Sequence, residues 1–440
     1  MPLSTTIRSE LKTFFTAFTD RVLPYGDAVY VDGINGGEAP GADAVEQLAT
    51  DIDYSEGGGV CLFTGQRGTG KSTELKRLQA RLNEMGMVCF YADMSEYLLL
   101  TKPVEVSDFL VSMAGALSEA VSARYGGKSP GNRNYWDRFR DFLQTRVQID
   151  QVGFKVAEVV DIKAALKTDP TFKQLVQERS RGHVTTLIAD ARAFVQEAVQ
   201  MVRAEEGDPA KKVVLILDSI ERIRGVGPED MSVYNSVRNL FFGHADALRI
   251  PFLHVVYTVP PYLPVLAAAA GALMGGAMTG RLVSTHIFKD RSRERDDSGI
   301  ALMHKVVGTR FAEWEKVFTP EALDRLALSS GGDLREFFRM LRLCVTAVRH
   351  DAQLPLSPAA VNHAENAARA DMLPIPADHL DWLKDITSSH ECCLPSDTLL
   401  PVLSQFLDNR LVMVYRNGSD WYDVHPLLRD VVDAHVRTPT

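Results

Sequence analysis

Two kinds of apolar pattern alternate along this chain, and each predicts a different element. In residues 1–24, Leu11, Phe14, Phe15, Phe18 and Val22 fall on one face at helical spacing, which predicts an amphipathic helix. Short unbroken apolar runs follow at Gly59–Thr64 (GVCLFT), Met87–Ala92 (MVCFYA), Val213–Leu217 (VVLIL) and Phe252–Thr258 (FLHVVYT). Runs without alternation suit strands buried on both faces of a parallel sheet. Helical stretches from Lys71 to about Glu84 and over Met231–Leu248 lie among them, so the pattern is one of β-α-β units, an α/β fold with helices covering the sheet. Gly33–Ala44 is expected to be a loop and His286–Phe288 a last strand.

Residues 101–212 exceed the length of a crossover and read as a mostly helical insertion, with two alternating pieces at 147–149 and 152–160 predicting a hairpin. Val265–Gly280 (VLAAAAGALMGGAMTG) carries no charge. A bilayer span takes about 20 residues, and Ala and Gly anchor weakly, so a buried helix and no membrane contact are expected. From Gly299 to about Met372 the period is helical throughout, and Pro374 and Pro376 mark a linker. The tail closes on LVMVYRNGSDWYDVHPLL, where Asn417-Gly418 between two short runs signals a hairpin. Helices followed by a hairpin predict a winged helix. The expected organisation is an N-terminal helix (1–26), an α/β core (27–298), a helical lid (299–372) and a winged-helix domain (373–440).

The length of 440 residues agrees with about three domains of roughly 150 residues each. With 45% hydrophobic and 24% charged residues, the chain is neither disordered nor collagenous. Its net charge of −9 argues against a protein coated in nucleic acid. Cys61, Cys89, Cys344, Cys392 and Cys393 include no C-x-x-C pair, against a disulfide framework or a zinc ribbon. The first residues lack the apolar core of a secretory signal, so a reducing cytoplasm is expected.

Candidate chemistry begins where the first strand ends. Gly65-Gln66-Arg67-Gly68-Thr69-Gly70-Lys71-Ser72 fits G-x-x-x-x-G-K-[ST] between a strand and a helix. Its glycines let backbone N–H groups turn toward phosphate oxygens, and the helix N-terminus adds its dipole. Lys71 is expected to reach the β- and γ-phosphates of ATP and Ser72 to ligate Mg²⁺; Thr73 and Tyr30 are counted with the nucleotide-binding residues. Such a loop needs an acid at the end of a second buried strand, and Asp218 ends VVLIL, which suits the Mg²⁺ site. Glu221 is the candidate for polarising the attacking water, Thr258 for contacting the γ-phosphate, Arg335 in Gly332-Asp333-Leu334-Arg335 for sensing it, and Arg281 for reaching a neighbour's nucleotide. Leu328–Gly332 (LSSGG) suggests the signature of transporter ATPases, but that signature precedes the second acid closely, whereas here it follows by over a hundred residues.

Together GQRGTGKSTEL, LILDSIE, Thr258, GGDLR and YDVHPLLRD resemble the AAA+ class and, within it, the STAND branch of signal-transducing P-loop NTPases, from roughly Tyr30 to the end of the chain. Where AAA+ enzymes usually carry Asp-Glu, this chain has Asp218-Ser219-Ile220-Glu221, which resembles the STAND form. The resemblance implies a slow ATP/ADP switch, a histidine at His425 that senses ADP, and a winged helix folded over the nucleotide. STAND proteins usually carry an effector domain before the NTPase and a repeat sensor after it. The short stretch before Asp27 leaves no room for such an effector, so the resemblance implies a homo-oligomer acting on a separately encoded effector, for instance in antiphage defence. The alternative is an ATP-dependent DNA loader, initiator or transposition-type AAA+ protein. The charge balance of the tail disfavours nucleic acid, while Arg410, Arg416, Arg429 and Arg437 keep it open. A membrane-linked P-loop protein of the KAP type is a third class, whose spans would lie elsewhere in the chain.

Overall fold

The computed structural model describes residues 5–35, 43–125, 135–145, 167, 184–227, 230–270, 274, 277–347 and 353–435. Five parallel strands make one sheet: β1 (Gly59–Gly65), β2 (Val88–Asp93), β3 (Val213–Asp218), β4 (Leu253–Val259) and β5 (Met278–Leu282), in the order β2-β3-β4-β1-β5. Every residue of β3 and β4 is buried, as unbroken apolar runs require. Their side chains still alternate between two cores. Val214, Ile216 and Val256 point to the layer of α2 (Ala44–Tyr54) and α3 (Lys71–Glu84), where Leu48, Leu75 and Leu78 meet them. Val213, Leu215 and Tyr257 point the other way.

That other face corrects the expectation of an insertion. It is covered by α4 (Val106–Tyr125) and α6 (Val184–Glu205), with α5 (Tyr135–Thr145) packed on α4. A sheet of β-branched strands must be dry on both sides, so α4, buried along most of its length, is a wall of the core. The hairpin expected at 147–160 lies outside the described residues. On the same face are α7 (Asp230–Arg238) and α8 (Leu263–Ala270).

Two further expectations change. The apolar stretch Val265–Gly280 is not one helix, because α8 ends at Ala270 and Met278 opens β5. The fifth strand is β5, not His286–Phe288; the latter forms one bridge, Phe288 with Arg295. MTGRL hides its strand character because an edge strand buries one face only, here Gly280 and Leu282. A β-carbon at Gly280 would meet Leu48 at 2.8 Å, so glycine admits α2 to the sheet edge.

The stretch expected to form a lid holds α9 (Asp297–Arg310), α10 (Pro320–Ser329), α11 (Leu334–Thr346) and α12 (Pro358–Ala370). The N-terminal helix α1 (Thr5–Ala17) joins this body: Phe14 and, just beyond the helix, Phe18 are fully buried and lie within 5.5 Å of the rings of Phe311, Phe318 and Phe338. After the linker come α13 (Ala377–Ser389), α14 (Leu400–Asp408), the antiparallel pair β6 (Val412–Asn417) and β7 (Ser419–Val424), and α15 (Arg429–Ala434). Gly418 turns the hairpin at φ +87°, the conformation an Asn-Gly turn supplies. All five cysteines are free. Among the described residues no helix is long and apolar enough to cross a membrane.

Candidate nucleotide-binding site

The strand order sets the site. With β4 between β1 and β3, Thr258 lies between the loop that leaves β1 and the acid that ends β3. The loop takes left-handed backbone at Gly68 (φ +104°) and Gly70 (φ +90°), which favours glycine at both positions. Gly70 is the N-cap of α3, so the first N–H groups of that helix face outward as a phosphate cradle. A β-carbon at Gly68 would stand 2.8 Å from Asp333 and 2.9 Å from the β-carbon of Arg335, so this glycine also admits the start of α11 to the loop.

Lys71 is 7% exposed; its Nζ donates to the carbonyls of Gly65 (2.9 Å) and Gln66 (3.0 Å) and lies 3.7 Å from Glu221 Oε1. Burial raises the pKa of Glu221, the charge of Lys71 opposes this, and Asp218 adds to it. Such a carboxylate is a better proton acceptor than a solvated one. Asp218 is 1% exposed and both its oxygens are engaged: Oδ1 accepts from the Ser219 N–H (2.7 Å) and Oδ2 from the Tyr91 hydroxyl (2.5 Å). Ser219 turns the chain at φ +71°, and the fully buried Thr258 secures that turn, accepting from the Ile220 N–H (2.9 Å) and donating to the Leu217 carbonyl (3.2 Å). Its hydroxyl therefore organises the turn between Asp218 and Glu221.

Lys71, Ser219 and Glu221 border a cleft of about 510 Å³, within the usual range for a small-molecule site, while Asp218 and Thr258 lie behind its wall. One end is the phosphate loop with Arg67, Gly68, Thr69, Gly70, Lys71, Ser72, Thr73 and Glu221; the other has apolar walls from Val31, Ile34, Val306 and Phe338, suited to a flat base. Tyr30 also lines it and is pinned by its hydroxyl to Glu74 (2.9 Å), which Arg77 ties to Asp43. Arg335 lines the cleft from α11 with its Nε 3.2 Å from Asp20. The Ser72 hydroxyl and the Asp218 carboxylate are hard oxygen donors and fit Mg²⁺. Among the described residues no group of three His, Cys, Asp or Glu could hold a metal; Mg²⁺ shared with phosphates and water needs none.

The fold is that of a P-loop NTPase. No family model matches the chain, and no curated protein matches it. Solved structures overlap nearly its whole length. The Walker-type ATPase PABY2304 of Pyrococcus abyssi is 12% identical, with 95% of this chain and 99% of that chain covered, at a TM-score of 0.43. The ORC2 protein of Aeropyrum pernix in its ADP form is 12% identical over 95% of this chain and 96% of that one, TM-score 0.43. Cdc6p from Pyrobaculum aerophilum is 13% identical over 92% and 97%, TM-score 0.36. Scores this low leave function to the residues themselves.

Thr258, expected at the γ-phosphate, is fully buried and does not line the cleft, nor do Gly65 and Asp218 behind the loop, and three further expected site residues lie elsewhere. Gln66 turns its side chain out of the cleft and into the C-terminal domain, where its amide donates to the carbonyls of Leu407 (3.0 Å) and Val412 (2.6 Å) and accepts from the Val414 N–H (2.9 Å). Arg281 is within β5, ion-paired to Asp420 and 3.3 Å from the Tyr422 hydroxyl, so reaching a neighbour would require it to leave both. His425 is fully buried at the seam of lid and C-terminal domain and does not line the cleft; its Nδ1 accepts from the Leu427 N–H (3.3 Å). Burial, then Arg410, Arg429 and Arg339, lower its pKa to about 3. Since 3 is below the ordinary histidine value, the stability it contributes is present above about pH 6.5 and is lost as the pH falls toward 3. His425→Asn is therefore expected to lose less melting temperature than the unaltered protein between pH 7 and pH 4.5. Asp408, whose pKa burial raises to about 6, acts in the opposite sense and is common to both proteins.

Sequence reasoning missed Tyr91 and Asp333. Asp333 is fully buried against the phosphate loop, caps α11 through the Glu336 N–H (2.7 Å) and binds Arg410 (2.9 Å), which also reaches Glu336 (3.1 Å). The N-cap role was readable from Asp-Leu-Arg before a helix; the pairing with Arg410, 77 positions on, was not.

Proposed function

We propose that this protein binds ATP with Mg²⁺ in the cleft, hydrolyses it slowly, and uses the nucleotide to set the position of its C-terminal domain, as an AAA+ switch of the STAND kind with a winged-helix C-terminal domain. The observation that carries the reading is the Gln66 clamp: a residue of the phosphate loop itself holds the C-terminal backbone by three hydrogen bonds. A phosphate arriving at the loop competes with the carbonyls of Gly65 and Gln66 for Lys71, and so acts on the segment that carries the clamp. Bound Mg²⁺, held by Ser72 and through Asp218, would neutralise phosphate charge. Glu221 accepts the proton of the attacking water, and Thr258 keeps the Glu221 turn in place.

Glu221→Gln tests the assignment. It is expected to keep ATP affinity within about threefold while hydrolysis falls by about 10²–10³. Hydrolysis at the normal rate would remove Glu221 from the mechanism.

A second reading, an ATP-dependent DNA loader or initiator, is favoured by Arg67, Arg222 and Arg224, exposed arginines that form no ion pair among the described residues, with Asp408 the acid whose charge acts on Arg67 and Arg224. The tail arginines do not add to it: Arg410 is bound by Asp333, Arg416 by Asp420 and Arg429 by Asp423, while Arg437 lies outside the described residues. Hydrolysis stimulated by DNA and lost steeply with salt would establish this reading. No residue of the structure speaks for a separate effector or for antiphage defence, and neither enters the proposal.

A further inference from the structure

We propose that Arg67 and Arg222 act on the terminal phosphate of ATP from within the same chain, so that one copy holds a complete hydrolytic site. This rests on the ATPase reading above and adds to it the source of the arginines. Both line the cleft, Arg67 from the phosphate loop and Arg222 from the position after Glu221. Both are exposed, and neither side chain has an ion pair or hydrogen bond among the described residues. Most arginines around them are engaged: Arg335 with Asp20, Arg410 with Asp333, Arg281 with Asp420.

Like charges sharpen the case. Desolvation of the inner part of the Arg67 side chain lowers its affinity for its proton, the charges of Arg335, Arg224 and Arg222 lower it further, and Asp408 acts the other way. Asp408 beside Arg67 and Arg224, and Asp20 on Arg335, offset this repulsion only in part, and a triphosphate in the cleft would supply the remaining negative charge. Both mounts are rigid. The Gln66 clamp fixes the residue before Arg67. The turn carrying Arg222 is fixed by Thr258 through Ile220 and by the Arg222 N–H to the Ser219 carbonyl (3.2 Å). Preorganised cations of this kind stabilise charge that develops in the transition state.

The step balances as follows. The water oxygen bonds to the γ-phosphorus, the bond from that phosphorus to the β–γ bridging oxygen breaks, and its electron pair stays on ADP. One water proton goes to the Glu221 carboxylate and then to solvent. The arginines face the charge gathering on the transferred phosphoryl oxygens and the bridging oxygen.

The test is steady-state hydrolysis and ATP affinity of the full chain over a fifty-fold range of protein concentration. For Arg222→Ala, turnover is expected to fall by about 10³ with affinity changed less than about fivefold, and Arg67→Ala is expected to follow in the same direction. Arg222→Lys is expected to recover only part, because an ammonium lacks the guanidinium fork. Arg124→Ala, outside the cleft and paired with Glu206, serves as the control with normal turnover. Specific activity independent of protein concentration supports the proposal. Normal turnover in both Arg67→Ala and Arg222→Ala would overturn it, and so would a specific activity that rises with concentration and collapses in Arg281→Ala, which would assign the arginine to a neighbour. Loss of DNA binding with turnover intact in the Arg222 variant would overturn it as well. If the unaltered chain neither binds nor hydrolyses ATP, the ATPase reading itself fails, a result distinct from these.

Discussion

Lys71→Ala is expected to abolish measurable ATP binding, with affinity down by at least about 100-fold, the size expected when a desolvated charge contact of 2–5 kcal/mol is removed. Lys71 is the one cation of the described residues whose ammonium sits directly on the loop carbonyls, and no neighbouring side chain can take its place within the turn. The measurement that separates lost binding from lost fold is the melting temperature with and without ATP. Saturation at 100 times the dissociation constant stabilises the unaltered protein by about 2.7 kcal/mol. The variant should melt cooperatively and show no such rise. A variant that still gains stability from ATP would place the nucleotide outside this loop. Some loss of basal stability is also expected, because Glu221 keeps its burial and loses the cation 3.7 Å away.

Gln66→Ala has the second large effect, and it is felt in the C-terminal domain. Two carbonyls and one N–H in the buried seam lose their partner, at about 1 kcal/mol or more each for groups left unsatisfied. The domain contact should weaken by about 3 kcal/mol, which raises the population of the opened form roughly 100-fold. Hydrogen exchange over residues 407–414 and proteolysis at the 371–376 linker report this opening. In the unaltered protein both should depend on nucleotide; in the variant both should be fast whether ADP, ATP or neither is present. Unchanged exchange at 407–414 would mean that Arg410 and Arg281 hold the domain without the clamp.

Much of the core was legible because its signals are local. VVLIL and FLHVVYT announce buried strands, and the glycines and Lys71 of the phosphate loop need only their neighbours in sequence. Asp218 followed from its position at a strand end. Legibility failed where the deciding contact is distant or one-sided. MTGRL does not look like a strand because half of its edge faces away from the core, and α4 does not look like a wall because nothing local says what it covers. Gln66 occupies a position the motif leaves free, so its role appears only once residues 341 to 348 positions away are brought to it. Arg281 and His425 have the right residue types in suggestive contexts, and only packing shows that one is bound to Asp420 and the other enclosed.

One consequence follows from the company kept by α1. The helix packs with α9–α12 through Phe14 and Phe18, and Val31 and Ile34 after it join the same cluster, while α2 packs on the sheet. Residues 20–23, 29–31, 34 and 35 line the cleft, with Val31 and Ile34 at its apolar end. The apolar wall of the cleft is therefore carried by the helical body of α1 and α9–α12, and the phosphate loop by the sheet. On the proposed function, a rotation between the two bodies would change the width of that slot, and a base wedged there would resist it as a shim resists a door.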